Sequence, residues 1–384
     1  MKIIKNGRYA PRVDDYPPVE YASFRCILFE PESAITDVVK ALFVIAFLLF
    51  FSAARLSGQD IHLSHIHASP TYINPAMTGL FNGDMRIIGN YRSQWQSFTN
   101  GFQTFLGSAD MKLNQGFGLQ DDVGAGLQIS RDRAGDLNFT TTSASMTFSY
   151  LKALNGIGDH FISVGISNGI VQNRLDLSEL RIFDADPYLQ SSDFQNQITY
   201  YDLSAGAAWF MPLRRQDFVY IGGSIFHLNR ALVSFKRDQP EYQQGSFLIP
   251  RYILHGGASL KLSEFATLKP SFIFFDQHPH RELNVGSFIK ITRETRTYLR
   301  PEYAFYAGFW YRWSVKEGVL NRDALIASLR YDFRNTVFSF SFDLNISPLK
   351  KASNGFGGPE FSIMHFIDFI RPERKRVKVK CPEV

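Results

Sequence analysis

In the stretch VFSFSFDLNIS, residues 337–347, apolar and polar residues alternate strictly. One face carries Phe338, Phe340, Phe342, Leu344 and Ile346, and the other carries Ser339, Ser341, Asp343, Asn345 and Ser347. Such alternation predicts a β-strand with one apolar and one polar side. Two environments fit it: a soluble sandwich, whose apolar side meets another sheet, or a membrane barrel, whose apolar side meets lipid.

Similar segments follow one another from residue 83 onward, and most are about 10–14 residues long, which suits a tilted membrane span better than a typical soluble strand. Small residues on the polar faces, such as Gly124, Gly126, Ser204 and Gly206, would leave room for a lumen. We therefore predict an all-β fold, a closed antiparallel transmembrane β-barrel of about 14 strands. The predicted strands are 83–96, 102–113, 122–133, 137–151, 160–173, 199–211, 217–229, 251–262, 267–277, 282–292, 303–314, 323–333, 336–347 and 359–369.

The N-terminal region has the features of an export signal. Lys40 precedes the apolar run ALFVIAFLLFFSAA, residues 41–54, which is short for a membrane span and long enough for the core of a signal peptide. The small residues Ser57 and Gly58 favour cleavage before Gln59. Residues 1–58 are predicted to be a leader, of which 1–33 is an upstream extension, and a transmembrane anchor is the alternative.

Composition agrees with an exported barrel. The chain is 45% hydrophobic and 15% aromatic, yet its mean hydropathy of −0.13 is not that of a helical membrane protein. A formal net charge of +5 gives no reason to expect a nucleic-acid partner. Removal of the leader takes Cys26 away and leaves Cys381, so no internal disulfide is expected.

Connector lengths give the predicted domain organisation. The longest connectors, 174–198 and 230–250, fall at one end of the barrel and the short Arg334-Asn335 turn at the other, which predicts periplasmic N- and C-termini. Residues 59–82 form either a periplasmic arm or a plug, and residues 83–369 form the barrel. The basic tail, 370–384, is either solvated or binds an acidic periplasmic partner.

No catalytic or cofactor site is predicted. The sequence GGSIF, residues 222–226, lacks the Gly-x-Ser-x-Gly pattern, and His227 falls on the opposite strand face from Ser224. The cluster His62, His65 and His67 fits no zinc pattern, and the acidic residues of the long loop, Asp184, Asp186 and Asp193, lack calcium-loop spacing. Lipid-facing or girdle positions are predicted for Tyr91, Trp95, Trp209, Trp310 and Trp313.

Barrel closure predicts two ion pairs between the first and last strands. Antiparallel pairing brings Arg92 towards Glu360 near the outer rim, and Arg86 towards Asp368 near the periplasm. In a wet lumen each pair would contribute about 0–1 kcal/mol, so the pairs would fix register rather than stability.

Several motifs carry a family resemblance. The segment after the predicted cleavage site contains Asn74-Pro75-Ala76 with Gly79, then Tyr91-Arg92 with Gln94-Trp95. Further along come SRDRAG (130–135), LDLSEL (175–180), AGFWYR (307–312), SFDLNIS (341–347) and GGPEFSI (357–363). In this order they resemble the PorP/SprF family, outer-membrane proteins of the type IX secretion system. Two positions depart from the family pattern: Pro359 precedes Glu360 where the family commonly has a histidine, and Met77-Thr78-Gly79 replaces an aromatic-alanine-glycine.

The resemblance implies a non-enzymatic outer-membrane component of the secretion and gliding machinery. Its partners would be outer-membrane lipid, periplasmic lipoproteins of the machinery, and secreted cargo or adhesins. The candidate partner or closure residues are Asn74, Pro75, Gly79, Arg86, Arg92, Trp95, Glu360 and Asp368. A general porin or a hydrophobic-ligand channel is the alternative, and a secreted soluble β-protein is a third reading.

Overall fold

The structure is a computed structural model, and it describes the barrel and the segment that precedes it. The described residues are 60, 63–64, 66–94, 101–113, 121–135, 138–154, 160–176, 195–213, 217–235, 247–292, 303–316, 319–347, 350 and 355–369. The predicted leader, the basic tail, Trp95, His62, His65, Cys381 and the acidic residues of the long loop lie outside them.

Fourteen antiparallel strands form one closed barrel in which each strand pairs with its sequence neighbours and β1 pairs with β14. The predicted fold class is therefore confirmed. The strands are β1 Met85–Gln94, β2 Phe102–Lys112, β3 Asp122–Ala134, β4 Phe139–Ala153, β5 Phe161–Arg174, β6 Gln197–Pro212, β7 Phe218–Phe226, β8 Arg251–Lys261, β9 Ala266–Gln277, β10 His280–Thr292, β11 Tyr303–Lys316, β12 Val319–Phe333, β13 Thr336–Asn345 and β14 Phe356–Ile367.

Three strand boundaries differ from prediction by more than two residues. β14 begins at Phe356, three residues before the predicted start, because its first residues pair with the end of β13, where Phe356 lies opposite Leu344. β7 ends at Phe226, three residues before the predicted end, because His227 adopts a left-handed backbone with φ +61° that ends the extended run. β12 begins at Val319, four residues early, because its first residues pair with the end of β11, where Lys316 lies opposite Val319.

The alternation of residues 337–347 separates the two sides of the barrel wall. Phe338 and Phe340 point outward and are 48% and 36% exposed, whereas Ser339 and Ser341 point inward and are buried. The same pattern recurs around the barrel, with exposed aliphatic and aromatic side chains outside and buried polar side chains inside. The outer surface is therefore apolar, as a bilayer-spanning barrel requires, and the inner face of the wall is largely polar with apolar clusters such as Phe288 with Trp310.

The two ends of the barrel differ in their connectors. The end where 175–196 and 227–250 attach is called the loop end, and the opposite end, with the tight turn between β12 and β13, is called the turn end. β1 begins and β14 finishes at the turn end, where Met85 lies opposite Ile367.

A short irregular segment precedes β1. It contains 3-10 turns at Ile66–Ala68 and Pro75–Met77 and one helical turn, Pro70–Ile73. Within the described part of the chain, no helix has the length and apolar character needed to cross a membrane. The described residues from Asp60 to Asp84 are called the lumen segment, because they lie against the inward-facing side chains of the wall.

Candidate functional site

The lumen segment crosses the barrel from the loop end to the turn end. Asp60 contacts Gln277, the last residue of β9, at the loop end. Midway along, Thr71 donates a hydrogen bond to Gln128 on β3. At the turn end, the backbone N–H of Asp84 donates to the carbonyl of Ile367, the last residue of β14. The chain therefore runs the length of the interior before it enters the wall.

Inward-facing glycines make space for the backbone of this segment. A Cβ atom at Gly165 would collide with the backbone of Pro75 and Ala76, and one at Gly124 would collide with the carbonyl of Thr78. A Cβ atom at Gly206 would likewise collide with the side chain of Asn74. Small residues that were predicted to leave room for a lumen, such as Gly124 and Gly206, thus accommodate a chain that fills it.

Inward-facing serines satisfy the backbone carbonyls of the segment. The hydroxyls of Ser149, Ser163 and Ser224 donate to the carbonyl oxygens of Thr78, Ala76 and Ile73 respectively, each at 2.6 Å. Buried carbonyl groups outside regular secondary structure need such partners, because an unpaired one costs about as much as a lost hydrogen bond. The serines on β4, β5 and β7 therefore make the interior of the wall complementary to an irregular chain.

Asn74 is the central anchor of the segment, and its side chain is fully buried. Its amide nitrogen lies 3.0 Å from the carbonyl of Ala207, 3.2 Å from that of Gly223 and 3.0 Å from Nε2 of His255. Its oxygen accepts the backbone N–H of Ala76 at 2.9 Å. One amide thus joins β6, β7 and β8 to the segment and also caps the next turn.

Pro75 and Gly79 shape the end of the segment. Pro75 begins the last 3-10 turn, where its fixed φ fits, and its carbonyl accepts the Thr78 hydroxyl at 2.8 Å. Gly79 has φ +71°, and a Cβ there would lie 2.9 Å from the Cα of Gly124. Both the left-handed conformation and the close backbone approach require glycine at this position.

Arg86 pairs with Asp110, not with Asp368 as predicted. Its Nε and Nη2 donate to the two carboxylate oxygens of Asp110 at 2.9 and 2.7 Å, and Nη2 also contacts the carbonyl of Met77. In the β1–β14 register Arg86 lies opposite Phe366, and Asp368 follows the last strand residue and accepts from Asn335. The two predicted pairs differ in register by two residues, so one continuous ladder cannot contain both.

Arg92 lies directly opposite Glu360 across the β1–β14 seam. Its closer partner is Asp343 on β13, at 3.0 Å, whereas Glu360 is 3.9 Å away. Asp343 also accepts from Arg312 at 2.8 Å. The lumen segment enters this cluster through Ser64, whose N–H donates to Glu360 and whose hydroxyl donates to Asp343, each at 2.7 Å. The closure pair is therefore part of a buried four-charge network that holds the segment.

A second charged cluster lies at the loop end, where β7 ends. The two ring nitrogens of His227 contact the carboxylates of Asp202, at 2.8 Å, and Asp60, at 2.6 Å. Arg251 lies 3.4 Å from Asp60 and also contacts the hydroxyl of Tyr72. Burial lowers the pKa of His227, but the two carboxylates outweigh it and raise the pKa to about 9. His227 is therefore a cation at neutral pH.

The aromatic predictions are only partly correct. Trp209 and Tyr91 face outward and are 41% and 44% exposed. Trp310 instead faces inward, is buried and packs edge-on against Phe288, because Phe309 takes the outward position at that point of the strand. The predicted lipid-facing role of Trp310 is wrong. His67 of the lumen segment contacts both Phe288 and Trp310.

The filled interior leaves many inward-facing wall residues buried, and others, such as Asp202, keep partial exposure. Each of the fourteen strands contributes buried inward side chains, including Ser163, Asn284 and Ser341, which have no exposed surface. A wide water-filled channel would leave such polar side chains accessible. Within the described residues, the lumen is occupied rather than open.

Asp110, Asp343, Arg312 and His227 are structurally central, and the sequence reasoning did not select them. A signal was available for three of them, because each is a charged residue at an inward position of a strand. Asp343 interrupts the serines of the decisive stretch, and Arg312 and Asp110 alternate in phase with buried neighbours. The partner of each residue depends on the path of the lumen segment. That path could not be predicted, because the segment has no periodic sequence pattern.

Comparison with known proteins gives a match to one protein family. The family model described as "Type IX secretion system membrane protein PorP/SprF" matches residues 56–357, most of the chain. No curated protein gives a significant match.

Among solved structures, the chain is similar to several barrels. A FadL homologue from Pseudomonas aeruginosa is 12% identical, with 77% of this chain and 93% of that one covered and a TM-score of 0.43. BamA from Haemophilus ducreyi lacking POTRA domains 1-3 is 11% identical, covering 74% and 70%, with a TM-score of 0.37. The translocator domain of the autotransporter NalP from Neisseria meningitidis is 11% identical, covering 79% and 100%, with a TM-score of 0.33.

Proposed function

The chain belongs to the PorP/SprF family of type IX secretion system membrane proteins, and from that membership we propose that it supports the export or surface attachment of particular cargo proteins. It is an outer-membrane β-barrel. The proposed role is non-enzymatic: the barrel provides a binding surface in the outer membrane for cargo and for other parts of the machinery.

The observation that carries this proposal is the family match over residues 56–357 together with the occupied lumen. A barrel whose interior is filled by its own chain presents its two ends and its outer face to partners. Buried ion pairs such as Arg86 with Asp110 and Arg92 with Asp343 hold the lumen segment in place. A rigid, filled cylinder is suited to positioning other proteins at a fixed place in the membrane.

The proposed partners differ between the two ends. Long loops of outer-membrane barrels face the outside, so we assign the loop end to the cell surface and to cargo or adhesins. The turn end would then face the periplasm, together with the basic tail, residues 370–384. The charge of that tail favours an acidic surface on a periplasmic lipoprotein of the machinery.

A general porin is the competing function, and the buried interior disfavours it. Solute passage needs a continuous water-filled path, whereas inward polar residues such as Asn284 and Ser341 are completely buried. A hydrophobic-ligand channel would need an apolar cavity through the wall or the lumen, and the lumen segment instead fills the interior with hydrogen bonds and with apolar contacts such as those of Met77 and Leu80.

The test is an affinity pull-down of the tagged full-length chain from outer membranes in mild detergent. Heat-modifiable migration on a gel checks that the barrel is folded. We expect periplasmic lipoproteins of the secretion machinery, or one large surface protein, to co-purify. A matched strain whose chain lacks residues 371–384 should retain the surface protein and lose the lipoproteins. A folded barrel that comes down alone contradicts the proposed role.

A further inference from the structure

Three arginines share the outer face of the barrel wall near the loop end. Arg131 and Arg133 lie on β3, Arg174 is the last residue of β5, and all three are exposed. The strand register places Arg133 and Arg174 on either side of Thr140 on β4. Neighbouring strands are about 4.8 Å apart, so the backbones of these two arginines lie about 10 Å from each other. Arg131, Arg133 and Arg174 are called the arginine patch.

The arginine patch begins where the apolar outer surface ends. Ile129, Ala144 and Ile170 lie opposite one another on β3, β4 and β5 and form the last apolar row. The next outward-facing row towards the loop end is polar on all three strands and consists of Arg131, Thr142 and Gln172. A change from apolar to polar along one row is expected where hydrocarbon gives way to lipid headgroups. The patch therefore lies at headgroup depth.

The outer side of this part of the wall carries no carboxylate among the residues of β2 to β6. These strands contain no glutamate, and each of their aspartates faces the interior. The aspartates are Asp110, Asp122, Asp132 and Asp202. The first carboxylate after β5 is Asp176, two residues beyond Arg174. The arginine patch is therefore a concentration of positive charge on the described wall.

Other arginines near the loop end show what a neutralised position looks like. On β10, Arg281 pairs with Asp276 of the neighbouring strand at 3.2 Å. In the patch, Arg133 donates to the neutral side chain of Asn138 at 2.7 Å, and the other two arginines form no ion pair with another described residue. Like charges that are gathered in this way repel one another, so a bound anion would stabilise them.

The strand between the arginines has small outward side chains. Thr140 and Thr142 lie between the arginine-bearing ends of β3 and β5, and Ala144 lies between Ile129 and Ile170. The outer face of β4 is thus a shallow groove with longer side chains on both sides. Its loop-end half offers guanidinium and hydroxyl donors, and the half below offers aliphatic surface. Such a groove fits a molecule with an anionic head and an apolar chain.

We propose that the arginine patch binds the phosphate groups of a phosphorylated membrane lipid whose acyl chain lies along Ala144. Arginine suits this chemistry because its planar guanidinium donates two parallel hydrogen bonds to a phosphate group. The bound lipid fixes the depth of β3 to β5 in the membrane. The assignment of this lipid to the outer leaflet rests on the proposed function, in which the loop end faces the cell surface.

Native mass spectrometry of the purified full-length barrel in detergent tests the proposal. The probe is lipid A, which carries phosphate on a sugar headgroup, and the wild type should retain it. The triple variant Arg131→Gln, Arg133→Gln and Arg174→Gln should bind lipid A about tenfold more weakly or worse, because each lost charge-assisted hydrogen bond is worth about that factor. Dephosphorylated lipid A and inorganic phosphate should both bind the wild type more weakly than lipid A, since one lacks the charge and the other lacks the apolar contact.

A charge-matched control comes from the same end of the barrel. Arg230, Arg322 and Lys350 are exposed and lie on or next to β7, β12 and β13, away from the patch. Any arginine or lysine near a strand end can extend to the headgroups, so this control separates a built site from general attraction. Substitution of all three by glutamine should leave the affinity for lipid A at the wild-type value. Heat-modifiable migration establishes that each variant is folded.

The proposal is overturned if the folded patch variant binds lipid A as tightly as the wild type, or if the control variant loses as much affinity. Equal binding of dephosphorylated lipid A or of inorganic phosphate to the wild type also overturns it. A patch variant that keeps lipid A but loses a surface protein in the pull-down would assign the arginines to a protein partner instead. Because lipid binding is measured without any secretion partner, its failure leaves the proposed secretion role standing.

Discussion

Arg86 and Asp110 form a two-point ion pair inside the barrel, with the guanidinium of one donating to both carboxylate oxygens of the other at 2.9 and 2.7 Å. The pair joins β1 to β2 at directly opposite positions. It also reaches the lumen segment, because Asp110 accepts the Gly79 N–H and Arg86 contacts the Met77 carbonyl. This one buried pair thus connects the barrel wall to the lumen segment at the turn end.

Removing this pair should destabilise the barrel strongly. Asp110→Ala leaves the Arg86 guanidinium buried without its counter-charge, a change that typically costs about 3–5 kcal/mol. The measurement is urea-induced unfolding in detergent, followed by loss of heat-modifiable migration. Asp368→Ala is the control, because Asp368 is exposed and accepts a 3.4 Å hydrogen bond from Asn335, so its loss should leave the unfolding midpoint close to that of the wild type. Equal unfolding midpoints for the two variants would contradict a structural role for the Arg86 pair.

A methyl group at Gly206 should displace the lumen segment. A Cβ there would collide with the Asn74 side chain, and overpacking of this kind costs about 1–3 kcal/mol. Gly223 on the adjacent strand has room, with its nearest neighbour at 3.5 Å. Gly223→Ala should therefore be neutral or slightly stabilising. Limited proteolysis of the purified variants reports the difference, with new cleavage near residues 60–84 expected only for Gly206→Ala. Identical digestion patterns would show that the segment does not occupy this space.

Charges on the outer face should be costly at the centre of a strand and tolerated at its end. Phe340 lies midway along β13, so Phe340→Lys should destabilise the protein by about 2–4 kcal/mol if lipid covers that position. Phe356, at the start of β14 on the loop end, is 61% exposed, and Phe356→Lys should cost about 0–1 kcal/mol. Unfolding from lipid vesicles gives both values. Similar small losses would mean that the outer face meets water.

The contacts of His227 with Asp60 and Asp202 should stabilise the protein less as the pH rises. The pKa of His227 is about 9 in the folded protein and ordinarily 6.5. A raised pKa means that the protonated form stabilises the folded state, fully below about pH 6.5, and that this contribution is lost as the pH rises through about 9. Asp60 and Asp202 face the ring, and Arg251 lies beside Asp60.

The measurement for this prediction is the urea midpoint for unfolding of the wild type in detergent between pH 6.5 and 9.5, which should fall across the range. The neighbouring phenols of Tyr72 and Tyr200 ordinarily titrate near 10, above most of this window. His227→Gln lacks the titrating ring and should show a flatter profile. A fall of the same size in His227→Gln would assign the pH dependence to another group.

The strands were predictable because their alternation is local. Strictly alternating stretches such as 337–347 determine both strand position and the side that faces outward. The opposition of Arg92 and Glu360 followed from pairing the first strand with the last. Arg86 was assigned to Asp368 because the exact register depends on where β14 ends, and a shift of two residues keeps the same face while changing the partner.

The path of residues 60–84 through the lumen could not be predicted from the sequence, for a physical reason. Its anchors join residues far apart along the chain, such as Ser64 with Asp343 and Asn74 with His255. Short 3-10 turns and single hydrogen bonds leave no repeating pattern. The glycines and serines that receive the segment were visible, but small polar residues suit an empty lumen as well as a filled one.

The most direct test of the central claim, that this barrel serves type IX secretion, is quantitative mass spectrometry of the surface and culture-medium proteins from cells that lack the chain. We predict that one or a few large cargo proteins disappear from the surface and return when the wild-type chain is supplied. An unchanged set of surface and secreted proteins, in cells where the chain is verified to be absent, would contradict it.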